Sequence, residues 1–171
     1  NISKLLTIIL CIGFVACNGS STQPTPDSSI DSTADNIREV SFRYLFAHKG
    51  PARDPNVKVF FLAFSEVIVP VPHSFGDTDP SDQFLSRFKL NTPPVRKYSQ
   101  CNLALEGVFD KLTNERGVLF RVGPITIIDS LHAEAQAGYF VGGLGASGDI
   151  LQLQKTDTAW VVTKDLVRWI S

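Results

Sequence analysis

The chain has no methionine, only three cysteines and three histidines, and its 16 basic and 17 acidic side chains nearly cancel. Each shortage removes a class of function. Cys11 and Cys17 lie in the N-terminal segment ahead of any folded part, so Cys101 alone remains for a domain, and one thiol cannot form an internal disulfide. Such a thiol reads as a small core hydrophobe rather than a nucleophile. His48, His73 and His132 have no spaced partners that suggest metal ligation, and nothing calls for a cofactor. With Lys4, Asp27, Asp31 and Asp35 set aside, residues 36–171 carry 15 basic and 14 acidic side chains, which is not the footprint of a nucleic-acid binder. The densest basic stretch, Arg87, Lys89, Arg96 and Lys97, reads as a solvated face. The apolar run over residues 5–16 is too short to cross a bilayer, which takes about 20 apolar residues.

That run follows Lys4, as the apolar core of a signal peptide follows a short positive segment, and an initiator methionine is expected ahead of Asn1. It ends in Phe14-Val15-Ala16-Cys17, which resembles the lipobox of bacterial lipoproteins, with Phe14 where Leu is usual. The resemblance implies that residues 1–16 are removed, that Cys17 carries acyl chains such as palmitate, and that the protein is held on a membrane of the cell envelope. Asn18, in place of Asp, implies the outer membrane if the source is Gram-negative. Residues 18–35 are rich in Ser, Thr, Pro and Asp and have no apolar face. Segments of that kind bury too little surface to offset chain entropy, so residues 17–35 read as a lipidated cysteine and a disordered tether.

Residues 36–171 read as a single α+β domain. Asp35-Asn36 offers a helix cap, and Ile37, Val40, Ser41, Tyr44, Leu45 and His48 form one helical stripe that Gly50-Pro51 stops. Val40, Phe42, Tyr44 and Phe46 also alternate as a strand would. Residues 57–64 are β-branched and aromatic and read as a buried strand, and Pro70 and Pro72 mark a loop. In Asp79-Pro80-Ser81-Asp82 a capping side chain, a first-turn proline and an acid announce a second short helix. Residues 95–105 read as a returning strand. Four more strands follow near 118–128, 131–141, 149–155 and 159–169. In the second of these Leu131, Ala133, Ala135, Ala137, Tyr139 and Val141 share one face, with His132, Glu134, Gln136 and Phe140 on the other. Three small alanines imply that the first helix lies against them. The next strand sets Leu151 and Leu153 against Gln152 and Gln154. The expected fold is thus an N-terminal helix and a second short helix packed on a curled antiparallel sheet ending in a four-strand meander.

The ending Lys155-Thr-Asp-Thr-Ala-Trp160-Val-Val-Thr-Lys-Asp165, together with Phe42-Arg-Tyr, Asp79-Pro-Ser-Asp-Gln-Phe-Leu, Gly138-Tyr-Phe and Trp169-Ile-Ser, resembles the NTF2-like or cystatin-like group and uncharacterised exported bacterial proteins. That group holds isomerases, cyclases, immunity proteins and binding modules, so the resemblance implies a fold and no single activity.

Three features invite a chemical reading. Gly143, Gly145 and Gly148 match the dinucleotide G-x-G-x-x-G, but a strand rather than a helix follows, so a glycine-rich hairpin is expected. Asp129, His132 and Glu134 could place a general base beside an orienting partner on one strand. Trp160, Trp169, Tyr139, Phe140 and Phe75 could stack on a sugar or peptide, or form core. The expectation is a membrane-anchored, non-catalytic module that binds a protein, peptide or glycan. The alternative is a small NTF2-like enzyme or ligand-binding cone that uses the His132/Glu134 face.

Overall fold

The structure, a computed structural model, describes residues 28–69, 76–143 and 145–171. The readings made on Cys17 and the signal segment, on His73 and on Phe75 lie outside them. The described elements are α1 (Ser28–His48), β1 (Val59–Phe64), α2 (Asp82–Leu85), β2 (Val95–Lys97), β3 (Cys101–Ala104), β4 (Gly107–Asp110), β5 (Arg116–Ile127), β6 (His132–Gly142), β7 (Gly145–Lys155) and β8 (Trp160–Ile170).

α1 starts at Ser28, so its first eight residues come from the stretch expected to be tether. Asp35 does not cap it. Inside the helix its carboxylate meets Arg38 one turn on, at 3.1 Å. Of the expected stripe Ile37, Ser41 and Leu45 are fully buried, Val40 and Tyr44 are half-buried and His48 is exposed, while Phe42, outside the stripe, is fully buried as well. The Ser41 hydroxyl donates to the Ile37 carbonyl at 2.8 Å. α2 also begins later than its sequence suggested. Ser81 is the cap, accepting the Phe84 N–H at 3.1 Å, while Asp79 accepts the Ser99 N–H at 2.8 Å.

The sheet has eight strands, ordered β2-β1-β5-β6-β7-β8, with β4 paired to both β3 and β5. It is mixed, not antiparallel throughout. β1 runs parallel to β2 and to β5, and α2 lies between β1 and β2 in the chain. The strand expected over residues 95–105 is broken by a 3-10 turn at Tyr98–Gln100, and β4 then pairs back on β3 as a hairpin. The closing meander matches its sequence pattern closely, with β5 to β8 paired in order.

Both faces of the sheet carry a core. α1, α2 and the 3-10 turn Ser86–Phe88 after it pack an aromatic cluster, Phe42, Phe46, Phe84 and Phe88, onto Phe60, Phe120, Ala133, Ala135, Ala137, Leu151 and Leu153. On the other face Val59, Phe61, Ala63, Leu119 and Phe140 meet Cys101, Leu103 and Val108 of the β3–β4 hairpin. Leu153 is 2% exposed, whereas Gln154, next in the strand, is exposed. Leu153→Ala should therefore cost about 2–5 kcal/mol in a urea melt, and Gln154→Ala should stay within about 0.5 kcal/mol. Equal losses would refute the register. Gln152 is a poorer control, because its amide donates to Glu134 at 3.0 Å.

Candidate functional site

Alternation puts His132 and Glu134 on one side of β6, but the structure gives each a different partner. His132 Nδ1 lies 2.9 Å from Asp129 Oδ2, and Glu134 Oε1 accepts from Gln152 at 3.0 Å. Asp129 Oδ1 also accepts the N–H groups of Leu131 and His132 at 2.7 and 2.8 Å. The carboxylate thus closes the β5–β6 turn while it orients the ring. The His132 hydrogen bond, followed by the Leu131 N–H, holds the Asp129 carboxyl below its usual range. These side chains line a surface hollow of about 230 Å³ with Ile128, Leu153 and Thr163. An imidazole oriented by a carboxylate is the arrangement of a general base. However, the Thr163 hydroxyl donates to the Gln152 carbonyl at 3.2 Å rather than to His132.

Two clusters of buried charge were not anticipated. At the C-terminal end of α1, Lys49 Nζ sits 2.9 Å from Asp149 Oδ1 on β7 and 2.8 Å from Asp165 Oδ2 on β8. One cation thus serves two carboxylates, and the Ser147 hydroxyl donates to Asp149 at 3.0 Å. Burial pushes the Asp149 carboxyl up against the pull of Lys49, and the Asp165 charge adds to the rise. Burial acts to lower the Lys49 ammonium, but the two carboxylates more than offset it and hold the group charged. Tyr44 is raised as well, first by burial and then by Asp165. His48 stacks on the Tyr44 ring at 4.2 Å between centroids, with its Nδ1 2.9 Å from the Tyr44 carbonyl oxygen.

On the opposite face Arg121 Nε meets Asp77 Oδ2 at 3.0 Å, each side chain only 1% exposed. The Ser65 hydroxyl donates to the other Asp77 oxygen, and the guanidinium lies 6.0 Å from the Phe140 ring centroid. A sequence signal existed. Arg121 interrupts Val118-Leu-Phe-Arg-Val122, whose neighbours are apolar at both parities. A charge inside such a strand must be buried and paired, because neither face is left for solvent.

The remaining candidates serve the fold. Cys101 is buried, and burial pushes its thiol up to about 12, which leaves it protonated and unreactive. Three members of the basic stretch are partnered, Arg87 with Glu39 at 3.0 Å, Arg96 with Asp110, and Lys97 with Asp82 at 2.8 Å, and Lys89 is exposed. Burial acts to raise Asp110, but the N–H groups of Thr113 and Leu112 together with Arg96 hold it low. Trp160 and Phe140 are core, and Trp169 and Tyr139 pack half-buried against it. The glycine motif joins β6 to β7 as a hairpin. A Cβ at Gly148 would collide with the Trp169 indole, which requires glycine there for packing rather than for a phosphate.

Among the described residues, no group of three or more His, Cys, Asp or Glu side chains is placed to hold a metal ion, and no helix is long and apolar enough to cross a membrane. No family model matches the chain, and no curated protein or solved structure is detectably similar to it.

Proposed function

We propose that this protein is a lipid-anchored component of a bacterial cell envelope, whose domain is a non-catalytic module that binds a protein, peptide or glycan on a curled-sheet scaffold of NTF2-like or cystatin-like type. The observation that carries the reading is the apolar run ending in Phe14-Val15-Ala16-Cys17, followed at once by polar, proline-rich chain. The lack of catalysis is supported by the engagement of the charged groups. Lys49 is held by both Asp149 and Asp165, Arg121 and Asp77 neutralise each other, and the His132–Asp129 pair also serves to close a turn.

Multiple acyl chains anchor stably where one does not. Cys17→Ser should therefore move the protein from the membrane pellet to the supernatant, or leave it as unprocessed precursor, and should abolish incorporation of labelled palmitate. An unaltered protein that is wholly soluble and unlabelled would overturn the reading.

A further inference from the structure

The end of the sheet at which α1 begins carries an apolar tip. Thr33, Asn36 and Val40 of α1 line a hollow of about 360 Å³ with Lys155, Thr158 and Trp160, so the start of the helix lies beside the β7–β8 turn. The β5–β6 turn is at the same end, where the Lys155 N–H donates to the Leu131 carbonyl at 2.7 Å. At that turn Ile127, Ile128 and Leu131 are 51, 59 and 49% exposed, although Ile125, two residues earlier, packs on the core.

The tip is held firmly. The N–H groups of Ile128 and Asp129 both donate to the His132 carbonyl, and the Asp129 carboxylate accepts two more from within the turn. Asp129 and Glu134 share a hollow with Ile128, and Lys155 and Asp157 stand in or beside the adjoining β7–β8 turn, with His132 beside Asp129. This is not a basic patch that would seek anionic headgroups.

The distance from the anchor points to what covers the tip. Ten residues, 18–27, separate Cys17 from the first residue of α1. Even fully extended, that length of chain reaches about 40 Å at most. The opposite end of the sheet lies a further eleven-residue strand away, about 36 Å. The end that carries the tip is therefore the nearer one to the anchor and meets the bilayer at the higher effective concentration.

We propose that Ile127, Ile128 and Leu131 form a second membrane contact, seated in the interfacial region of the bilayer that holds Cys17. The proposal rests on the lipid-anchor reading above, and its occupant is an uncharged phospholipid surface.

The experiment uses the mature full-length lipoprotein in phosphatidylcholine vesicles that contain brominated lipid. Ile128→Trp places a reporter on the tip. Ile170→Trp places one on a still more exposed site at the far end, and the unaltered protein corrects for Trp160 and Trp169. The reporter at position 128 should be quenched several-fold more strongly than the one at 170, and Leu131→Trp should behave like Ile128→Trp. Equally weak quenching at all three positions, with the protein still floating on the vesicles, would overturn the tip contact and leave the anchor standing. Failure of the unaltered protein to float would overturn both.

Discussion

Replacing Arg121 with methionine should lower the stability of the domain by about 3–5 kcal/mol, the range for removing one partner of a buried ion pair. Arg121 stands in β5, the strand that bonds to β1, β4 and β6, and its guanidinium and the Asp77 carboxylate are closed from water. Without the cation the Asp77 charge keeps the Ser65 hydroxyl but remains buried and loses its counter-ion, which is costly. Urea melts with an unchanged slope and a lower midpoint would measure the loss. The double variant Arg121→Met/Asp77→Leu should recover part of it, since apolar replacement of a whole buried pair is often nearly neutral. A single variant that loses under about 1 kcal/mol would mean that the pair is hydrated like a surface bridge.

Lys49→Met should cost a similar amount at neutral pH and less in acid. With Lys49 gone, Asp149 and Asp165 face each other across β7 and β8 with no cation between them. The Asp149 carboxyl is already raised above its ordinary value, so the folded state holds its proton more tightly than the unfolded chain does. A raised group of this kind contributes stability that is present below the unfolded value and is lost as pH rises through the folded one. Removing the cation widens that window upward. The deficit of Lys49→Met relative to the unaltered protein should therefore be larger near about pH 7.5 than near about pH 4. A deficit independent of pH would show that the aliphatic stem of Lys49, not its charge, is what the site needs.

The parts of this fold that were legible share a short sequence range. In β6 and β7 the alternation of Ala133, Ala135 and Ala137, then of Leu151 and Leu153, assigns the faces without knowledge of any distant partner. Other features needed distant partners. β1 reads as a buried strand, but nothing local says that it pairs in parallel with residues 117–122. The broken strand at Tyr98–Gln100 and the β3–β4 hairpin depend on Cys101 and Val108 finding the far face of the sheet. The helix start was misplaced because Ser, Thr and Asp at residues 28–35 are compatible with either a tether or a polar first turn. In the candidate site the run Asp129, His132 and Glu134 is legible in the sequence, but strand parity sets His132 beside Glu134, whereas the turn brings it to Asp129. Lys49, Asp149 and Asp165 were missed because each alone looks like an ordinary surface charge. Their burial arises from packing α1 across β7 and β8.

The pairing of β5 also sets the order in which the chain can assemble. Its contacts with β6, and those of β6 with β7 and β7 with β8, close through turns of a few residues. Its parallel contact with β1 must bring Val59 to Gly117 across more than fifty intervening residues. Loop closure carries an entropic cost that grows with the length enclosed, and non-local pairings are slow to form. The meander is therefore the part that can condense first. β1 then docks onto the open edge of β5, and Ser65 and Asp77 come to Arg121 with it. On this route the buried ion pair is formed late, and it locks the step that turns a local hairpin array into the complete mixed sheet.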